Sequence, residues 1–267
     1  MNYEQLKSGT DIRGVASPLG GKPVTLTDEA VYDLTAAFAV WVKNRLSASK
    51  ALHVAVGHDS RITGESLAET VCRALTDAGI TVFDCGLAST PDMFMTTVDL
   101  KTDAAVQITA SHHPFDRNGL KFFLPAGGLS GKELSQIVAL ANEKQHIAAE
   151  NTGTVEKTDY MSLYAARLRR LICESVGKRE EEQPLKGYHL VVDAGNGAGG
   201  FYATKVLAAL GADITGSQFL EPDGMFPNHI PNPEDKNAMQ SICEAVKRHH
   251  ADLGIIFDTD VDRAGCV

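Results

Sequence analysis

The chain has 267 residues, 43% hydrophobic and 22% charged, with 25 Lys and Arg against 34 Asp and Glu for a net charge of −9. That length suits one large domain or two modest ones, and the acidic balance excludes nucleic acid and membrane as expected partners, so an anionic substrate needs a local basic pocket. No apolar run approaches the ~20 residues that cross a bilayer, and the opening MNYEQLKSGT lacks the basic flank and apolar stretch of a signal peptide.

Helical and strand-like patterns alternate along the chain and predict an α/β fold. Residues 27–48 carry acids in the first turn and apolar residues at helical spacing (Val31, Leu34, Phe38, Trp41, Val42), which predicts a helix. Leu52–Val56 reads as a buried strand ending at Gly57, residues 65–78 as a helix, and 80–83 and 104–108 as strands. A polar loop then leads to a strand at 120–124 and a helix at 130–147. The polar, turn-prone segment 150–153 places a domain boundary near 153, giving domains 1–153 and 154–267. The second part predicts helices at 159–173, 200–210 and 235–249, and strands at 190–193, 213–219 and 253–257. The two parts look similar in plan, without a repeat at the level of residues.

Five cysteines (72, 85, 173, 243 and 266) are scattered and form no CxxC pair. This favours reduced thiols in a cytoplasmic protein over a disulfide framework or a zinc site.

Three loops carry chemistry. Thr109–Pro114, followed by Asp116, Arg117, Asn118, Gly119 and Lys121, lies at the carboxyl end of a predicted strand, where open α/β sheets bind ligands. Ser111 is a poor nucleophile unless it is activated or already phosphorylated; His112, His113, Arg117 and Lys121 surround it with groups that hold phosphate and move protons. The plainer reading is a polar chain reversal. Asp258, Asp260 and Asp262 follow a buried strand, and strand alternation points them to one side. Three carboxylates that close repel unless a cation neutralises them, and hard oxygen donors suit Mg²⁺. A solvated acidic turn is the plainer reading. Gly195–Gly200 matches GxGxxG formally, but only 67 residues remain after it, too few for a dinucleotide fold, so a tight strand-to-helix turn is expected. Arg13 in DIRG and Arg61 in GHDSR are read as arginine-bearing turns whose planar forks suit phosphate oxygens.

Six segments together, DIRG (11–14), GHDSR (57–61), TASHHPFDRNGLKFF (109–123), VVDAGNGAGG (191–200), FPNHIPNPE (226–234) and DTDVDR (258–263), resemble the α-D-phosphohexomutase family, which includes phosphoglucomutases, phosphomannomutases and phosphoglucosamine mutases. The resemblance implies the first two of four α/β domains, each a three-layer α/β/α arrangement with a mixed sheet. It also implies phosphoryl transfer between the 1- and 6-positions of a hexose phosphate through a bisphosphorylated sugar. By it, Ser111 is the phosphoserine, and Asp258, Asp260 and Asp262 hold Mg²⁺ together with a phosphoserine oxygen from Ser111. Arg13, Arg263, His112 and Lys121 then line the transfer site, with His112 and Lys121 moving protons, and Arg61 joins Arg13 and Arg263 as a phosphate contact. Two departures stand out. His113 replaces the usual Asn after Ser-His, and Thr259 and Val261 replace the two glycines of the metal loop, where β-branched residues demand a less permissive backbone. The family's sugar-recognition and phosphate-binding loops of its third and fourth domains are absent from these residues, so the partners implied are a hexose phosphate and those carboxyl-terminal domains. On this expectation the chain by itself is inactive or impaired. Two alternatives stay open: a haloacid-dehalogenase-type phosphatase, whose Asp-x-Asp also ends a buried strand, and a non-catalytic phosphosugar-binding module.

Overall fold

The computed structural model describes residues 2–46 and 51–267. The chain divides into two compact units, the first comprising residues 1–58 and 62–158 and the second 59–61 and 159–267.

The first unit is built on an eight-stranded mixed sheet of β1 (Lys7–Ser8), β2 (Asp11–Val15), β3 (His53–His58), β4 (Thr81–Leu87), β5 (Ala104–Ile108), β6 (Arg117–Leu124), β7 (Gly127–Gly128) and β8 (Val155–Lys157). Its order is β1-β2-β6-β5-β3-β4-β8, with β7 paired to β6. Strands β5, β3, β4 and β8 run parallel, whereas β6 is antiparallel to both β5 and β2. Helices α1 (Asp28–Arg45), α2 (Gly64–Asp77), α3 (Thr90–Asp99) and α4 (Gly131–Asn142) connect and cover it. Thr27 caps α1 through its hydroxyl, acids occupy the first turn and Lys43 and Arg45 the last, so both ends of the helix dipole are complemented. Val54, Val56, Val82, Val106, Leu120 and Phe122 alternate onto the sheet face that packs against α1, α2 and α4. The Phe38 ring stacks on Phe122 at 4.4 Å and ties α1 to β6. The opposite face carries α3, packed so closely that a Cβ on Gly57 would lie 2.6 Å from both Ala88 and Met93.

In the second unit, β9 (Leu190–Asp193), β10 (Leu253–Phe257) and β11 (Ala264–Cys266) form a three-stranded sheet in the order β11-β10-β9. Strands β9 and β10 are parallel, and β10 and β11 form an antiparallel hairpin. Val191 and Ile256 face helix α6 (Lys236–His249), while Leu190, Val192 and Phe257 face a helical segment with a π-helical core at Tyr202–Leu207. Helix α5 (Tyr160–Val176) packs outside that segment. The expected α/β/α layering with mixed sheets is therefore the observed fold, and all five cysteines are free. No described helix is long and apolar enough to cross a membrane.

Several local expectations differ. DIRG is not a turn: Asp11–Val15 is a strand held between β1 and β6. Arg117–Gly119 are not loop but the start of β6, because their backbones pair with β2. The helix expected at 130–147 ends at Asn142, since Lys144 turns left-handed (φ 55°) to reach Glu29, Asp33 and Tyr3 on neighbouring elements. The strand expected at 213–219 is reduced to two isolated bridges, at Asp213 and Gln218, on either side of Gly216 with φ 86°. The helix expected at 200–210 is π-helical over 202–207. Of the helix expected at 27–48, residues 47–48 lie outside the described residues.

Candidate functional site

In the first unit Ser111 follows β5 by three residues. It is buried, its backbone is left-handed (φ 55°), and its amide donates to Thr109 Oγ1 at 2.8 Å. A serine held there is strained, an arrangement typical of functional positions. Its Oγ lies 3.3 Å from His112 Nδ1, within reach of a proton exchange. The His112 and His113 rings are 5.3 Å apart. Register places Arg13 opposite Gly119 in β6, while Leu120 and Phe122 point into the core. Strand alternation therefore puts Arg13 and Lys121 on the same face of the sheet, the face opposite the main core. Gly119 permits this close approach of β2 and β6, as a Cβ there would stand 2.2 Å from the Ile12 carbonyl oxygen. Arg13 also donates to the Ala110 carbonyl at 3.4 Å and pairs with Asp11 at 2.8 Å, so it bridges β2 and the serine loop.

In the second unit the acids occupy the six-residue loop of the β10–β11 hairpin, directly after Phe257. The loop folds back on itself: Val261 N donates to the Asp258 carbonyl, and Arg263 N donates to Asp258 Oδ1 at 3.1 Å. Asp258 and Asp260 are buried and Asp262 is exposed, yet one carboxylate oxygen of each lies within 4.8 Å of the others. Strand alternation predicted the convergence, but the turn produces it, with Val261 at φ 63° reversing the chain between Asp260 and Asp262. Burial, followed by repulsion from Asp260 and Asp262, pushes the Asp258 carboxyl up to about 8. A group of three acids, two of them buried, offers hard oxygen donors that suit Mg²⁺, whose charge offsets both effects. The donor set therefore fits that ion.

Strands β9 and β10 are parallel, so the Gly-rich turn after Asp193 shares the carboxyl edge of the sheet with the acidic loop, the usual ligand-binding edge of such sheets. The turn's glycines serve close packing, as expected: a Cβ on Gly200 would stand 2.1 Å from the Leu220 carbonyl oxygen. The two remaining arginines are held differently. Arg61 is buried and paired with Asp59 at 3.2 Å, its guanidinium 5.3 Å from the Phe226 ring centre. Arg263 reaches Glu234 at 3.7 Å near the surface.

Asp193, Asn196, Asn228 and His229 lie in the segments VVDAGNGAGG and FPNHIPNPE, and their convergence is not apparent from the sequence. The available signal was a charged residue closing an apolar strand at 193.

Comparison with known proteins matches residues 5–148 to the model of phosphoglucomutase/phosphomannomutase alpha/beta/alpha domain I and residues 163–267 to that of alpha/beta/alpha domain II. A phosphoglucomutase of Neisseria gonorrhoeae is 35% identical over 257 residues, covering 96% of this chain and 51% of that protein. A phosphomannomutase/phosphoglucomutase of Pseudomonas aeruginosa strain PAO1 is 34% identical over 261 residues, covering 96% of this chain and 50% of its own. The chain thus spans about half the length of the curated relatives it matches. An X-ray structure of a phosphoglucomutase/phosphomannomutase family protein from Burkholderia thailandensis superposes with a TM-score of 0.82 at 28% identity, over 100% of this chain and 55% of the other.

Proposed function

Since the chain belongs to the phosphoglucomutase/phosphomannomutase family, we propose that it is the amino-terminal, phosphoryl-transferring half of a cytoplasmic phosphohexomutase. On this reading the enzyme interconverts hexose 1- and 6-phosphates, with Ser111 as the phosphoryl carrier. The observation that carries this reading is the gathering of Asp258, Asp260 and Asp262 at the carboxyl edge of parallel strands. The five free thiols support a reducing compartment.

Phosphoryl transfer requires in-line positioning and neutralised charge rather than covalent invention. From phosphorylated Ser111, the Oγ–phosphorus bond breaks as a hydroxyl of a hexose monophosphate bonds to phosphorus, giving a bisphosphorylated sugar. Return of the other phosphoryl group re-forms phosphoserine and releases the isomeric monophosphate. His112, whose Nδ1 lies 3.3 Å from Oγ, and Lys121 supply and remove the protons on serine and sugar oxygens. Arg13, Arg61 and Arg263 offer forked donors to phosphate oxygens. Asp258, Asp260 and Asp262 would hold Mg²⁺, which when bound would draw charge from the transferring group. The relatives' carboxyl-terminal domains are the partners that select and reorient the sugar.

A coupled assay on the intact gene product, primed with a hexose bisphosphate and supplied with a panel of hexose 1-phosphates, tests the proposal. Formation of hexose 6-phosphate that disappears in Ser111→Ala is expected. Release of inorganic phosphate that survives Ser111→Ala but depends on Asp258 would instead mark a haloacid-dehalogenase-type phosphatase.

A further inference from the structure

Asp193, the last residue of β9, is fully buried and makes an unusually complete set of contacts. His229 Nε2 lies 3.0 Å from each of its carboxylate oxygens, Gln218 donates to Oδ2 at 2.7 Å, and the Gly195 amide donates to Oδ1 at 2.9 Å. The other ring nitrogen of His229, Nδ1, sits 2.9 Å from the Ile230 carbonyl oxygen. Two acceptors facing both ring nitrogens require both to carry hydrogen, which makes the ring an imidazolium. Burial pushes the His229 pKa down, but the hydrogen bond and charge of Asp193 outweigh it and the pKa rises above the ordinary value.

Buried ion pairs are poor stability devices, because desolvation cancels most of their attraction. What this one does well is fix a position. Neighbouring Asn228 donates to Asn196 Oδ1 at 2.8 Å, and Asn196 donates to the Glu221 carbonyl at 2.9 Å. Asn196 has a left-handed backbone (φ 59°) and leads into Gly197, where a Cβ would stand 2.6 Å from the Thr259 carbonyl oxygen. The next amide, Ala198 N, donates to that same oxygen at 2.8 Å. Thr259 lies between Asp258 and Asp260, and Asp193 itself pairs in register with Ile256, two residues before Asp258.

We propose that Asp193, His229, Asn228 and Asn196 are positioning residues for the divalent cation. The charged pair anchors the 226–232 segment to β9, and the asparagine bond passes that anchor to the turn on which Thr259 rests. The inference depends on the acidic loop being the cation site.

Mn²⁺ titration of the 267-residue chain, followed by electron paramagnetic resonance, tests it with thermal melts recorded in parallel. The wild-type chain should bind Mn²⁺, and Asp260→Asn should abolish binding. His229→Gln and Asn228→Ala should each weaken affinity on the order of tenfold and change the spectrum of the bound ion. Val206→Ala, a core truncation in the same unit, should lower the melting temperature and leave affinity unchanged. Wild-type affinity in both His229→Gln and Asn228→Ala, or losses in Val206→Ala matching theirs, would overturn the inference. A wild-type chain that binds no Mn²⁺ removes the cation-site reading and the inference with it.

Discussion

The carbonyl oxygen of Thr259 accepts a hydrogen bond from the backbone amide of Ala198 at 2.8 Å. The turn that ends β9 therefore supports the hairpin loop that follows β10, and the two loops hold one geometry.

This contact leaves no room for a side chain at Gly197. A Cβ there would stand 2.6 Å from the Thr259 carbonyl oxygen and 2.8 Å from its Cα, both backbone atoms that cannot swing aside. Gly197→Ala should displace the acidic loop, destabilise the chain by about 1–3 kcal/mol, and weaken divalent-cation affinity more than tenfold, read by calorimetric titration. Unchanged affinity would show that the loop holds its shape without the turn.

Val261 stands at φ 63° in a conformation that a β-branched residue resists, where the family motif has glycine. The strain is on the order of 1–2 kcal/mol, offset by packing of its side chain against the cluster around Val192 and Phe257. Val261→Gly removes both the strain and the packing, and adds about 0.5–1 kcal/mol of glycine entropy. The expected net change in urea unfolding is within about 1 kcal/mol of zero. A loss of several kcal/mol would show that the backbone at 261 is unstrained.

Asp92, in the first turn of α3, is buried with neither carboxylate oxygen in hydrogen-bonding geometry to a donor. Burial pushes its pKa up to about 8, and the nearby Ser89 and Met93 groups counter only part of that. The folded state then holds a proton that the unfolded chain releases near pH 4. Stability is fully present below about pH 4, falls as pH rises, and levels off above about 8. Asp92→Asn should therefore stabilise the chain at pH 7.5 by roughly 1–3 kcal/mol, with the gain closing toward pH 4. Melting temperatures measured across that range check it; a gain that grows toward acid pH would reverse the assignment.

Much of this was legible in the sequence, and the exceptions have physical causes. The strands at 104–108, 190–193 and 253–257 announce themselves as short apolar runs, because strands covered on both faces need no polar alternation. Arg13 and Arg117–Gly119 do not show their strand character in the sequence, because strand pairing between β2 and β6 is a non-local fact, invisible in residues chosen for the chemistry of one face. The three acids were legible as a group, but their convergence through a left-handed Val261 was not. The role of His229 was hidden for the same reason: its partner, Asp193, lies 36 residues away.

The most direct test is intact-mass analysis of the intact gene product after exposure to a hexose 1,6-bisphosphate and Mg²⁺, with the modified peptide mapped. One phosphoryl group on Ser111, absent after Ser111→Ala and not formed when the cation is chelated beforehand, is the expected result. Equal labelling of Ser111→Ala, or a phosphoryl group found on Asp258, would contradict the account.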